Sequence, residues 1–188
     1  MAGHSSKDGG AVTCLGGVSE HELAQMVIPG VKAALEGMGY EVEVTERERS
    51  GGTTPVYSAL AANATKADLA VELHFNSADA ASAQGAEWLY YGPSGRSRAV
   101  AEAMLAEWCR QAGFKSRGVL PVYGEQAHAG RYTTRGWNAF LKSRMPFFMA
   151  EPFFGSNAQE AGRAEEMARN GEYARCMARA IAAGAGRL

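Results

Sequence analysis

The segment that most restricts the fold is Pro146-Phe147-Phe148-Met149-Ala150-Glu151-Pro152. Four consecutive apolar residues between two prolines read as a strongly apolar strand. A second run, Asp68–Phe75, carries Leu69-Ala70-Val71-Glu72-Leu73-His74 and reads as another strand of the buried type. Gly85–Tyr91 is a third, closed by the turn Gly92-Pro93-Ser94-Gly95. Helical stretches lie between them. Ser19 is placed to cap a helix with Glu20 and Glu22 in its first turn. Leu23, Met26, Val27, Val31, Ala34, Leu35 and Met38 then share one stripe, with a kink or break expected at Pro29-Gly30. Gly39 ends that helix, and Tyr40–Thr45 alternates as a strand. Residues 46–54 are a polar, Gly-rich loop, and Pro55 opens a helix to about Thr65. Further helices are expected from Arg96 to Ala112, over Thr133–Ser143, and from Asn157 onward with a nick at Asn170-Gly171. Val119–Tyr123 reads as a short strand.

Strands alternating with helices define an α/β layered fold: a twisted, mostly parallel or mixed sheet flanked by helices. The 188 residues suit one domain, 1–188. Hydrophobic residues make up 46% of the chain, enough for a core. The 19 Lys+Arg and 20 Asp+Glu nearly cancel, which argues against a dedicated nucleic-acid binder. No apolar run reaches the ~18–20 residues of a membrane span. The start, Met1 to Gly10, has no apolar signal-peptide core, so the expectation is synthesis in the cytoplasm and assisted release if the protein acts outside. Cys14, Cys109 and Cys176 are scattered, with no Cys-x-x-Cys pair, and read as reduced thiols.

In such folds, sites form beyond the carboxyl ends of the strands. Two polar residues occupy such ends, His74 and Glu151. Glu151 stands between two apolar runs, where a carboxylate is poorly hydrated unless a cation or a cavity meets it. Its plain alternative is a salt-bridged Glu where the strand emerges. A strand His such as His74 is often a satisfied structural residue. His4, in a Gly-rich loop, reads alone as a solvated residue. Glu20 and Glu22 read alone as acids favoured by the helix dipole. Taken together, two neutral imidazoles and one carboxylate are also the ligand set of an open catalytic zinc site, with Glu151 as a nearby non-ligand base.

The motifs run in a recognisable order. They begin with Gly3-His4-Ser5-Ser6-Lys7-Asp8-Gly9-Gly10-Ala11 and Gly17-Val18-Ser19-Glu20. Ala62-Asn63, Ala67-Asp68, His74-Phe75-Asn76 and Gly85-Ala86-Glu87 follow. The series closes with Pro146 to Glu151 and Phe153-Phe154-Gly155-Ser156-Asn157. In this order, from residue 2 to about 157, the chain resembles the zinc-dependent N-acetylmuramoyl-L-alanine amidases of the amidase type 3 family. That group includes bacterial wall-remodelling enzymes and many phage endolysins. The chain departs from the family in three places. Only Met1-Ala2 precede the Gly-His, where the family has a full strand. Glu72 stands where a small polar residue is more usual. Residues 46–54 lack a clear Arg-x-x-Asp.

The resemblance implies Zn²⁺ bound by His4, Glu20 and His74, with Glu22 the rival to Glu20, and Glu151 as general base and acid. It implies peptidoglycan as partner and substrate, cut at the amide joining the lactyl group of N-acetylmuramic acid to L-alanine. His21 and His128 match no ligand and read as surface or loop residues, His128 as a minor candidate for substrate contact. Two other readings compete: a zinc peptidase or deacylase of another amide, and an inactive wall-binding module. Retention of Glu151 argues against the last.

Overall fold

A computed structural model describes residues 1–124 and 128–188. Its strands are β1 (Ala70–Leu73), β2 (Ala86–Tyr91), β3 (Ser116–Val122) and β4 (Phe147–Glu151), in the sheet order β1-β4-β2-β3. β1 pairs parallel with β4, β4 antiparallel with β2, and β2 parallel with β3. The helices are α1 (Glu20–Gly37), α2 (Pro55–Asn63), α3 (Gly95–Ala112), α4 (Trp137–Lys142), α5 (Ala158–Arg169) and α6 (Glu172–Ala185). The mixed sheet between helical layers is the α/β architecture expected from the alternation of the sequence. The nick at Asn170-Gly171 separates α5 from α6, with Gly171 in the left-handed region at φ 76°.

The two-residue period of a strand sorts the side chains. Val71, Leu73, Trp88, Tyr90, Phe148 and Ala150 face a thick core under α1, α3, α5 and α6. Ala70, Leu89, Phe147 and Met149 face a thinner one under α2 and α4. Glu72, His74, Glu87 and Glu151 continue the second set. Four ionisable residues therefore lie on the thinly covered face, at the end where β1 and β4 finish and β2 begins. The thick core is aromatic. Trp108 is fully buried, 5.7 Å from Phe114 and 5.0 Å from Tyr173 between ring centres. Phe114 leads to Phe153 at 6.0 Å and Phe153 to Phe75 at 5.0 Å, so the packed rings reach the residue beside His74. Cutting a ring such as Trp108 to Ala would cost about 3–5 kcal/mol.

Three local expectations change. Helix α1 runs unbroken through Pro29. Pro29 lies on the solvent side, as does Gln25, whose carbonyl would have received the missing N–H, so the lost hydrogen bond falls on the exposed face of the helix. Tyr40–Thr45 joins no sheet among the described residues. Val42 and Val44 pack on the core, but a cleft of about 730 Å³ separates this segment from β1, and a strand needs a neighbour for its ladder. The polar loop at 46–54 contains a 3-10 turn, Arg47–Ser50, with Arg47 buried.

The chain start is also held. Leu73 N–H donates to Met1 O at 2.9 Å, and Gly3 N–H to Leu73 O at 2.8 Å. Met1–Gly3 thus runs parallel to the outer edge of β1, with Ala2 buried. His4 follows directly from this paired stub.

Candidate metal centre

Three chain segments deliver His4, Glu20 and His74 to one point. His4 leaves the stub with φ 58°, the left-handed region that disfavours side chains with a Cβ. A tight loop follows, closed by Ser5 N–H to Asp8 O at 2.9 Å. Ser6 is tied by its backbone N–H (3.0 Å) and its hydroxyl (2.9 Å) to Glu48. Two glycines are required for close approach. A Cβ on Gly3 would overlap the His74 ring, and one on Gly10 would lie 2.5 Å from His4 Cδ2 and 2.8 Å from Glu20 Oε1. Glu20 is the first residue of α1. Ser19 caps the helix and exchanges hydrogen bonds with Glu22, a capping box. That pairing occupies Glu22, which is exposed, and leaves Glu20 directed inward.

The Glu20 carboxylate bridges the two imidazoles. Its Oε1 is 3.3 Å from His4 Nε2, and its Oε2 is 2.9 Å from His74 Nδ1. The Ala11 and Phe75 backbone N–H groups also donate to it, at 3.0 and 3.2 Å. One donor atom from each of the three residues lies within 4.8 Å of the others. Metal–nitrogen and metal–oxygen bonds of about 2.0–2.2 Å set tetrahedral donors about 3.4 Å apart, so the widest spacing would have to close by about 1 Å or more on loading. Two imidazoles and a carboxylate leave a fourth tetrahedral position open, so the donor set fits a catalytic zinc ion. Burial alone would lower the His74 pKa. The Glu20 and Glu72 carboxylates outweigh it and raise the imidazole to about 10. Burial likewise opposes ionisation of Glu20, but hydrogen bonds from His4 and His74 hold it well below the usual carboxylate range. Without metal, a proton on His74 does the electrostatic work of a cation.

Glu151 ends β4 beside this cluster, since His74 N–H donates to Ala150 O at 3.0 Å. Glu151 is 2% exposed. Oε1 lies 3.1 Å from the Arg135 guanidinium, and buried Oε2 has no hydrogen-bond partner among the described residues. Burial pushes Glu151 up to about 7, against the pull of Arg135 and His74 and with the push of Glu20 and Glu87. A carboxyl with one free oxygen and a pKa near neutrality suits proton transfer in both directions. Opposite it in the β2–β4 register is Glu87, which accepts from Asn76 Nδ2 at 2.8 Å and Arg117 Nε at 3.3 Å, and also pairs with Arg131.

Other motif residues hold the frame. Asn157 caps α5 by accepting from Gln159 and Glu160 N–H. Asn63 grips the chain after α4 through Lys142 O (2.8 Å) and Arg144 N–H (2.7 Å). His21 is half-buried, and its Nδ1 lies 3.1 Å from Gly3 O, bracing the His4 loop. His128 stacks on Tyr123 with ring centres 3.7 Å apart. The three cysteines are free. Arg47, Glu72 and Arg135 are absent from the sequence-based site. Glu72 alone gave a signal there, as an acid inside a buried-type strand.

Comparison with known proteins places the chain. The profile of the Amidase_3 family, N-acetylmuramoyl-L-alanine amidase, matches residues 1–184, and the chain belongs to that family. Three solved structures illustrate the likeness. The catalytic domain of CwlV, an N-acetylmuramoyl-L-alanine amidase from Bacillus (Paenibacillus) polymyxa var. colistinus, is 24% identical with a TM-score of 0.68, over 97% of this chain and 92% of that one. An N-acetylmuramoyl-L-alanine amidase from Clostridium difficile 630 is 19% identical with a TM-score of 0.71, over 97% and 90%. The amidase AmiC2 of Nostoc punctiforme is 23% identical with a TM-score of 0.70, over 96% and 91%. A search of curated proteins finds no match. Among the described residues, no helix is long and apolar enough to cross a membrane.

Proposed function

We infer that this chain is a zinc-dependent peptidoglycan hydrolase that cleaves the amide between the lactyl group of N-acetylmuramic acid and L-alanine of the stem peptide, with residues 1–188 as one catalytic domain. The observation that carries the reading is the pairing of two chemistries at one sheet end. His4, Glu20 and His74 converge as metal donors, and a buried carboxyl with a free oxygen stands on the next strand. Family membership supplies the wall amide as substrate class.

His4, Glu20 and His74 would hold the ion. Zn²⁺ bound there would supply Lewis acidity toward the scissile carbonyl and would lower the pKa of a water toward about 7. Glu151 Oε2 takes the proton of the attacking water. With a pKa near neutrality it returns that proton to the leaving amine of L-alanine. Arg135 holds Oε1, so the free oxygen keeps one orientation.

The test is digestion of purified peptidoglycan with mass analysis of the products. Free stem peptides with an N-terminal L-alanine and intact glycan are expected. Peptides cut between stem residues would point instead to a zinc peptidase, and no release to a binding module. Glu151→Gln should keep its zinc and lose wall hydrolysis by about 10²-fold or more. Loss of zinc with full activity per bound metal would make Glu151 a ligand and overturn the mechanism.

A further inference from the structure

We propose that Glu72, anchored by Arg47 and Ser58, is a positioning residue that fixes the orientation and tautomer of His74, so that Nδ1 is the atom offered to the metal. The proposal rests on the reading of His4, Glu20 and His74 as ligands. Glu72 is fully buried on β1, two residues before His74 and on the same face of the sheet. A carboxylate there has to be matched by donors. Its Oε1 is occupied: Arg47 Nε (2.9 Å) and the Ser58 hydroxyl donate to it, and a terminal Arg47 nitrogen stands 2.8 Å away as its counter-charge. Its Oε2 receives none of these. It faces His74 Nε2 at 3.4 Å, and neither atom has a hydrogen-bond partner among the described residues. Two unmatched buried polar atoms thus look at each other across a gap slightly too long for a bond.

The chemistry of the pair sets its direction. An ionised carboxylate only accepts, so Nε2 must carry the hydrogen. In the neutral ring Nδ1 then keeps its lone pair, and Nδ1 is the nitrogen turned toward Glu20, at 2.9 Å. A carboxylate behind a metal-binding imidazole fixes the ring and raises its basicity. Arg47 supplies the counter-charge that keeps Glu72 ionised while buried. It is fixed in turn by donating to Thr53 O at 3.0 Å. Its neighbour Glu48 holds Ser6 of the His4 loop. One short turn therefore braces the surroundings of both histidines.

The test uses Glu72→Gln in the full chain. The amide keeps an oxygen for Arg47 and Ser58 but presents N–H to His74 Nε2, which reverses the demand on the ring. Zinc affinity, measured by competition with a chromophoric chelator, should fall about 10- to 100-fold while circular dichroism shows the wild-type fold. A lower melting temperature with unchanged affinity would mean that Arg47–Glu72 is only a structural pair, and would overturn the proposal. A second measurement does not depend on the variant folding. Long-range ¹H–¹⁵N NMR of the zinc-loaded wild type should show His74 protonated at Nε2 and metal-bound at Nδ1. The reverse assignment overturns the proposal while leaving the metal centre standing. A wild type whose zinc affinity is unaffected by His4→Ala removes the metal centre itself.

Discussion

Glu151 should cost the metal-free protein stability above neutral pH, and Glu151→Gln should recover it. Burial lifts the carboxyl from its ordinary 4.5 to about 7. Between those values the native protein holds a proton that the unfolded chain has already released. Stability therefore falls as pH rises through the window. The penalty is absent below pH 4.5 and complete above pH 7. At 1.36 kcal/mol per pH unit it approaches about 3 kcal/mol. The side chain is 3% exposed, so solvent screening takes little from that figure. Glutamine does not ionise, and any pH-independent cost of its buried amide cancels when two pH values are compared. Urea unfolding of chelator-treated wild type and Glu151→Gln, followed by tryptophan fluorescence at pH 4.5 and pH 8, measures the difference. The variant should gain about 3 kcal/mol relative to wild type between the two, or about 6–12 °C in melting temperature for a chain of this size. A relative stability that stays flat with pH, or moves against the variant as pH rises, would show that Glu151 ionises easily and would refute the argument from burial.

Zinc affinity should strengthen about tenfold per pH unit between pH 7 and 9, because loading must displace the proton that the Glu20 and Glu72 carboxylates keep on His74. Chelator competition across that range tests this, and a pH-independent affinity would contradict it. Gly10→Ala should lose most zinc binding while the rest of the chain still folds, since its Cβ would meet both His4 and Glu20; metal analysis beside circular dichroism reads both. Glu22→Ala should lower the melting temperature slightly through the lost capping box and leave zinc in place, whereas Glu20→Ala should release it. Equal zinc loss in the two variants would undo the assignment of Glu20.

What the sequence disclosed about this site follows from how local each signal is. Ser19, Glu20 and Glu22 lie within one helical turn, so cap, first turn and inward stripe can all be read from neighbours. His74 and Glu151 stand at the ends of apolar runs that could only be buried strands. Arg47 and Arg135 gave no such signal. Each sits in a polar stretch, and its partner, Glu72 or Glu151, is brought to it by sheet and helix packing. Tyr40–Thr45 has the alternation of a strand, but alternation reports a half-buried surface and not a neighbour to bond with. Pro29 shows the converse: a residue that ends helices in isolation is tolerated where it and the residue it orphans lie on the exposed face.

His4, Glu20 and His74 come from a loop, a helix start and a strand end, up to 70 residues apart. An ion shared among them is therefore a cross-link as well as a reagent. It closes two long loops of chain and fastens the first residues to the sheet. Because only the folded chain assembles the three donors, free zinc at 100 times its dissociation constant would add about 2.7 kcal/mol to global stability. Local opening of the first residues would be suppressed as well. Resistance of the segment around His4 to limited proteolysis would then rise and fall with metal supply, and an ion bound for hydrolysis would also set how long the chain itself survives among proteases.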